Sequence, residues 1–225
     1  MKSGKYKVII NNEVFADILD CFSDSFSGDS VNKGFSLLKG RQNTKIANDN
    51  ITLLDEPLMK DGISSCSFDS EGVATYNKAV IENGVLKTYL HNIKSAAAMG
   101  VKSTGNGFKG SYKTAVGVSP TNFYIKPGED DFEKALSEMG EGLVITDVAG
   151  LHSGANTVSG DFSLAAEGFA VKDGKISAPV EQITIADNFF ELLKKAHIVC
   201  SDLKFNTSAV GSPSIMFEEI AVSGL

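Results

Sequence analysis

A chain of 225 residues with 42% hydrophobic and 22% charged side chains, 22 glycines and 5 prolines is long enough to bury a sizeable core, which excludes a disordered or fibrous polymer. Its formal net charge of −7, from 21 basic and 28 acidic residues, argues against a phosphate-binding face and direct contact with nucleic acid. No apolar run has the length of a bilayer span, so no membrane contact is expected.

The N-terminus, Met1 to Lys5, leads into a short β-type run, Tyr6 to Ile10, without the apolar stretch of a signal sequence. A helix follows: Val14, Phe15, Ile18, Leu19, Phe22 and Phe26 recur at intervals of three and four, behind Asn11 or Asn12 as N-cap. Lys45 to Leu54, Ser64 to Phe68 and Thr75 to Leu90 read as strands with connecting turns. Asn83-Gly84 marks a tight hairpin between Lys78–Ile81 and Val85–Tyr89. The Ala-rich stretch Asn92 to Met99 reads as a short helix stopped by Gly100.

Val101 to Val118 is rich in Gly, Ser, Thr and Lys and reads as a long loop or irregular strands. Asn122 to Ile125 is a strand, and Asp130 to Met139 a helix with acidic residues at its start and Gly140 beyond its end. Leu143 to Val148 is a strand, and a second glycine-rich loop runs from Gly150 to Gly160. Phe162 to Val171 and Lys175 to Ile185 pair across Lys172-Asp173-Gly174. Asp187 to Lys195 is a helix, and Ile198-Val199 and Ser214 to Val222 are closing strands. The expected class is α+β: a β-rich, largely antiparallel arrangement with a few short helices, as one domain over residues 1–225.

Several chemistries fail on spacing. His91, His152 and His197 are scattered, and no pair has metal-ligand spacing. Asp147, His152 and Ser153 fall in one short segment, but there is no Gly-x-Ser-x-Gly elbow, so a polar loop is the better reading than a hydrolase triad. Gly105 to Gly110 fits Gly-x-Gly-x-x-Gly yet lacks a strand before it and a helix after it. The three cysteines, Cys21, Cys66 and Cys200, are widely spaced and odd in number, which suits reduced, buried thiols of a cytoplasmic protein. The basic spots Lys39 to Arg41 and Lys194-Lys195 are read as solvated faces.

The two glycine-rich loops carry the candidate site residues: Thr104, Gly105, Asn106 and Gly107 in the first, His152, Ser153, Asn156, Ser159, Gly160 and Asp161 in the second. Small and polar residues there suit close approach by a peptide or partner chain; tight turns in a curved sheet are the alternative, and spacing does not choose between them.

Five segments in order resemble the C-terminal domain of the PmbA/TldD family. They are Phe68 to Gly72, Ile81 to Leu90, Ser103 to Gly107, Gly160 to Ser163, and Pro179-Val180 with Ile183 to Ala186. Family members carry a further N-terminal domain ahead of this part. The resemblance implies two branches. The TldD branch is a metallopeptidase whose helix bears His-Glu-x-x-x-His, with a cysteine near the C-terminus as a further ligand; two imidazoles near one helix face suit zinc. That motif falls here within the helix Val14 to Phe26, on Leu19 to Asp24, and neither histidine is present. Nothing after Cys200 supplies the later cysteine, and Cys200 itself stands where glycine is usual. The chain therefore resembles the TldE (PmbA) branch. The resemblance implies a heterodimeric cytoplasmic peptidase acting on unfolded or modified peptides, with a TldD-type subunit and a peptide as partners. Zinc is expected only in the TldD-type partner, and no catalytic residue, metal ligand or cofactor is expected in this chain. The resemblance also brings the older family label, modulator of DNA gyrase; the acidic charge gives no support for direct contact with DNA. A self-sufficient peptidase with an unrecognised centre and a non-enzymatic peptide-binding scaffold are the rival readings.

Overall fold

The structure, a computed structural model, describes residues 2–224. β1 (Gly4–Ile10) leads into α1 (Asn12–Phe22), whose first turn is capped by the Asn11 side chain accepting from the Val14 N–H at 2.9 Å. The expected helix to Phe26 stops short. Residues Ser23–Phe26 tighten into a 3-10 turn, and Ser27 then adopts an extended backbone and caps a second helix, α2 (Gly28–Lys33). With Val31 as its one large apolar residue, α2 has no periodicity to announce it.

The strands expected at Lys45–Leu54 and Ser64–Phe68 are mostly absent. Residues 46 and 47 donate their N–H groups to the Gly84 carbonyl, so this segment wraps the Asn83-Gly84 turn instead of forming a ladder. Only β2 (Leu53–Asp55) is regular. Residues 59–66 fold into successive turns, with Gly62 donating to Met59 and Ser65 to Gly62. The hairpin forms at the expected turn, β3 (Lys78–Glu82) against β4 (Val85–Leu86), with Asn83 at φ 46° and Gly84 at φ 76° as a two-residue loop between twisted strands requires, but its second strand stops at Leu86 instead of running to Tyr89.

Next come α3 (Ile93–Met99), closed by Gly100 in the left-handed region, and the small hairpin β5 (Gly107–Phe108) and β6 (Gly117–Val118). β7 (Phe123–Ile125), α4 (Phe132–Met139) and β8 (Gly142–Ala149) follow. The second glycine-rich loop contains a helical turn, α5 (Leu151–Gly154), which the glycine content conceals. β9 (Asp161–Lys172) and β10 (Lys175–Asn188) form a long hairpin, and Asp187 belongs to the strand because Asn188, not Asp187, caps α6 (Phe189–Lys194). The chain closes with β11 (Ala196–Val199), β12 (Lys204–Phe205), β13 (Val210–Ser212) and β14 (Ile215–Ser223).

The pairings β1–β8, β8–β9, β9–β10, β10–β14 and β14–β1 close a circuit of five strands, with β11 on the remaining half of β14. All are antiparallel except β1–β8. The second sheet runs β12-β13-β7-β2-β3-β4. Helix α1 joins the two. Phe15 meets Phe217 of β14 at 5.4 Å, Phe22 stacks on Phe189 at 4.6 Å, and Phe26, just past α1, meets Phe123 of β7 at 5.8 Å. Each such side chain, wholly buried, contributes about 1.5–3 kcal/mol. Along β1 the alternation is visible: Val8 and Ile10 face this main core, while Ile9 turns to a smaller one with Leu136 and Met139 of α4. No helix of the described residues is long and apolar enough to cross a membrane.

Candidate functional site

Helix α1 has one polar side, its other side being packed into the core. Glu13, Asp17 and Asp24 are exposed and Asp20 and Cys21 half-buried, while Val14, Phe15, Ile18, Leu19 and Phe22 are buried. Asn206, in the turn before β13, donates to Asp17 Oδ1 at 3.1 Å and to Asp20 Oδ2 at 3.4 Å, so one amide ties two carboxylates one helical turn apart.

Three adjoining clefts run along this side. One of about 560 Å³ lies between Glu13, Asp17, Asp147 and Asn206. The next, about 470 Å³, is bounded by Asp17, Asp20, Cys21, Leu151 and His152. Beyond the turn α5 a third, about 540 Å³, is lined by Ser153, Asn156, Thr157 and Asp161 among others. Together they make a trough whose walls mix these polar groups with Val14, Ile63, Leu151, Phe162 and Phe205. The loop forming its far end is well tied: Ser25 Oγ donates to the Thr157 carbonyl at 3.1 Å, and Asn156 Oδ1 accepts from the N–H groups of Val158 and Ser159. Hydrogen bonds from Asn188 and then Ser159 hold the Asp161 carboxyl below the usual carboxylate range.

The first glycine-rich loop lies elsewhere and faces inward. Thr104, Gly105, Asn106 and Gly107 are all buried. Asn106 Nδ2 donates to Asp55 Oδ2 at 2.8 Å and to the Ser119 carbonyl at 3.0 Å, while Thr104 Oγ1 donates to Asn106 Oδ1 at 2.7 Å. The Gly107 N–H donates to Asp69 Oδ2 at 2.9 Å. A Cβ at Gly107 would stand 2.5 Å from the Glu71 carboxylate and would displace the oxygen that accepts from the Ile93 N–H. The trough is thus lined by residues of the second loop and by none of Thr104 to Gly107. Sequence reading did not single out Asp17 or Asn206. The three-residue spacing of Asp17 and Asp20 on a helix was a usable signal, whereas the meeting with Asn206 spans 189 positions and left none.

The donor set does not fit zinc. No group of three or more His, Cys, Asp or Glu side chains among the described residues is arranged to hold a metal ion. Burial, then the charge of Asp20, raises the Cys21 thiol above its ordinary value, the reverse of what a thiolate ligand needs. The other histidines are engaged apart from the trough. His91 is buried, with Nδ1 3.2 Å from Ser95 Oγ, and His197 on β11 lies between Glu138 and Glu218 at 3.0 and 3.1 Å. Asp147, His152 and Ser153 are not joined by any hydrogen bond; Ser153 Oγ donates to the Gly150 carbonyl at 3.4 Å.

Comparison with known proteins gives one consistent answer. A family model described as the PmbA/TldA metallopeptidase C-terminal domain matches residues 3–224. A curated relative, "Metalloprotease PmbA homolog" of Haemophilus influenzae, is 34% identical over 225 residues, covering 100% of this chain and 47% of the relative. A Thermotoga maritima crystal structure, described as a candidate modulator of a DNA gyrase, superposes with TM-score 0.93 at 43% identity, over 99% of this chain and 50% of that one. The crystal structure of TldE from Thermococcus kodakarensis gives TM-score 0.91 at 26% identity, over 100% and 51% of the two chains. The chain spans about half the length of the curated relatives it matches.

Proposed function

This chain belongs to the PmbA/TldD metallopeptidase family, and from that premise we propose that it acts as the metal-free partner subunit of a TldD/TldE-type cytoplasmic peptidase that cleaves unfolded or modified peptides. The observation that carries this reading is on α1. Where the metal-bearing branch is expected to present histidine, glutamate and histidine, this helix and the turn after it present Leu19, Asp20 and Asp24. Zinc, held by the sister subunit, would supply the activated water; this chain supplies surface and shape. His152, Ser153, Asn156 and Asp161 then face the peptide or the sister subunit along the trough, while Ser159, whose carbonyl accepts from Asn188, and buried Gly160, packed against Asn188 and Phe190, hold the loop from behind. Thr104, Gly105, Asn106 and Gly107 stand apart from the trough and act from within, holding Asp55 and Asp69 in place. Extended peptides commonly bind by adding a strand to a sheet, and a strand-rich domain suits that role.

Elemental analysis tests the proposal, on the purified chain alone and after mixing with a TldD-type subunit. Zinc at one per pair, found only in the mixture, is the expected result. Stoichiometric zinc in the isolated chain would overturn it and would direct attention to a centre of its own.

A further inference from the structure

Charge is distributed very unevenly along this acidic chain. Residues 83–128 contain six lysines, Lys87, Lys94, Lys102, Lys109, Lys113 and Lys126, and no aspartate or glutamate. That segment's formal +6 within a chain of −7 leaves −13 for the remainder. Lys87 reaches back to Glu82 at 3.4 Å. Among the described residues, Lys94, Lys102, Lys109 and Lys113 are exposed and make no ion pair.

The fold sets the elements that carry Lys94, Lys109 and Lys113 against one shared turn. The β5–β6 hairpin lies against the turn 69–72, where the Ser70 N–H donates to the Gly107 carbonyl at 2.8 Å and the Lys109 N–H to Ser70 Oγ at 3.2 Å. That turn in its place caps α3, through the Ile93 N–H donating to Glu71 Oε2 at 2.7 Å. The carboxylates of this turn are already committed: Glu71 to α3, and buried Asp69 to the N–H groups of Glu71, Val73 and Gly107.

Apolar side chains stand out on the same surface. Residues 66–69 run against 73–76 with Phe68 bridged to Ala74, so one set of side chains, Asp69 and Thr75, turns inward. The alternate set turns outward and includes Phe68, 67% exposed, and Tyr76, 47% exposed. Ile93 is half exposed, and Tyr112, at the tip of the hairpin, is 86% exposed with Lys113 Nζ 5.3 Å from its ring centre. Asp69 and Thr75 are thus buried while the aromatic side chains on the opposite face stand in solvent, which marks a surface made to be covered.

We propose that the β5–β6 hairpin, with the adjoining turn and the start of α3, is a docking surface for an acidic, aromatic-bearing polypeptide segment. Lysines without carboxylate partners supply the charge complementarity, and Phe68, Ile93 and Tyr112 supply the apolar contact. A polypeptide fits better than nucleic acid. The patch contains no arginine to fork onto a phosphate, and a long polyanion leaving it would meet the −13 of the remaining chain. This inference stands apart from the peptidase reading, because it concerns a property of the isolated chain.

The test uses the full chain without a partner. Fluorescence anisotropy would follow a labelled Glu-Tyr repeat peptide, its Lys-Tyr counterpart, and an oligo-dT of equal formal charge. The variants are Lys109→Glu with Lys113→Glu, a control reversal of exposed Lys172→Glu with Lys175→Glu on the β9–β10 turn, and Tyr112→Ala, with thermal melts to confirm folding. The Glu-Tyr peptide is expected to bind, to lose about tenfold or more in affinity in the hairpin pair, and to keep its affinity in the control pair. Added salt should weaken it, and Tyr112→Ala should weaken it without changing that salt dependence. No binding of the Glu-Tyr peptide, equal binding of the Lys-Tyr peptide, equal losses in both lysine pairs, or tighter binding of oligo-dT would each overturn the proposal.

Discussion

The Asn106 amide donates to the Asp55 carboxylate at 2.8 Å with both side chains wholly out of water, and the same Asp55 oxygen takes the Lys78 ammonium at 3.0 Å. The other Asp55 oxygen accepts from the N–H and the hydroxyl of Thr121, each at 2.7 Å. One buried carboxylate thus binds β2, β3, the first glycine-rich loop and the approach to β7. A buried ion pair is weak evidence for net stabilisation, but breaking it leaves a charge with no solvent.

Removing either partner should therefore be unequal in cost. Asp55→Ala strands Lys78 and should destabilise by about 3–5 kcal/mol. Asn106→Ala removes one hydrogen bond from a carboxylate that keeps its cation, and should cost about 1–3 kcal/mol. Urea unfolding of the three proteins checks the order; equal losses would mean that the pair is not the centre of the network.

Stability should fall in mild acid through His91. Burial pushes its pKa below the usual histidine value, so the native ring stays neutral where the unfolded ring, near about 6.5, takes up a proton. The contribution is complete above the unfolded value and is lost as the pH drops from there towards the native one. Unfolding measured from neutral pH downward should show a slope that His91→Gln flattens. Parallel curves for the two proteins would refute this assignment.

Gly28 should tolerate no side chain. Its built Cβ lies 2.2 Å from the His91 ring, and its N–H donates to the Leu90 carbonyl at 2.7 Å, so backbone and imidazole are both held. Gly28→Ala should cost about 1–3 kcal/mol by overpacking. Pairing it with His91→Ala should recover part of that loss, and a double-mutant cycle reads the coupling directly.

The thiols should be slow nucleophiles. Burial, followed by the charges of Asp202, Asp130 and Asp131, pushes Cys200 up to about 12; burial also raises Cys21 and Cys66. Mass-resolved alkylation of the native protein near neutral pH should leave Cys200 untouched and label Cys21 and Cys66 more slowly than a free thiol. Rapid labelling of Cys21 would show a thiolate beside the trough and reopen the question of its chemistry.

Local order was legible in the residues themselves. Asn83-Gly84 and Asp173-Gly174 set two hairpins because their turns demand positive φ, and Asn11, Gly100 and Gly140 bound helices by cap chemistry. The apolar interval of α1 named the face that meets both sheets. Segments whose hydrogen bonds run to distant partners were not legible: 46–52 wraps a turn instead of joining a ladder, and Ser27 starts a helix with almost no apolar pattern.

The candidate site divides on the same line. Composition marked both glycine-rich loops, and the five ordered segments pointed to the family. Only the tertiary structure decided that Thr104 to Gly107 face inward on Asp55 and Asp69, and that Asp17, Asp20 and Asn206 meet beside α5. The physical reason is range. Caps, turns and helical faces are set by neighbours a few residues apart, whereas burial and the pairing of carboxylates depend on which distant strands close the circuit.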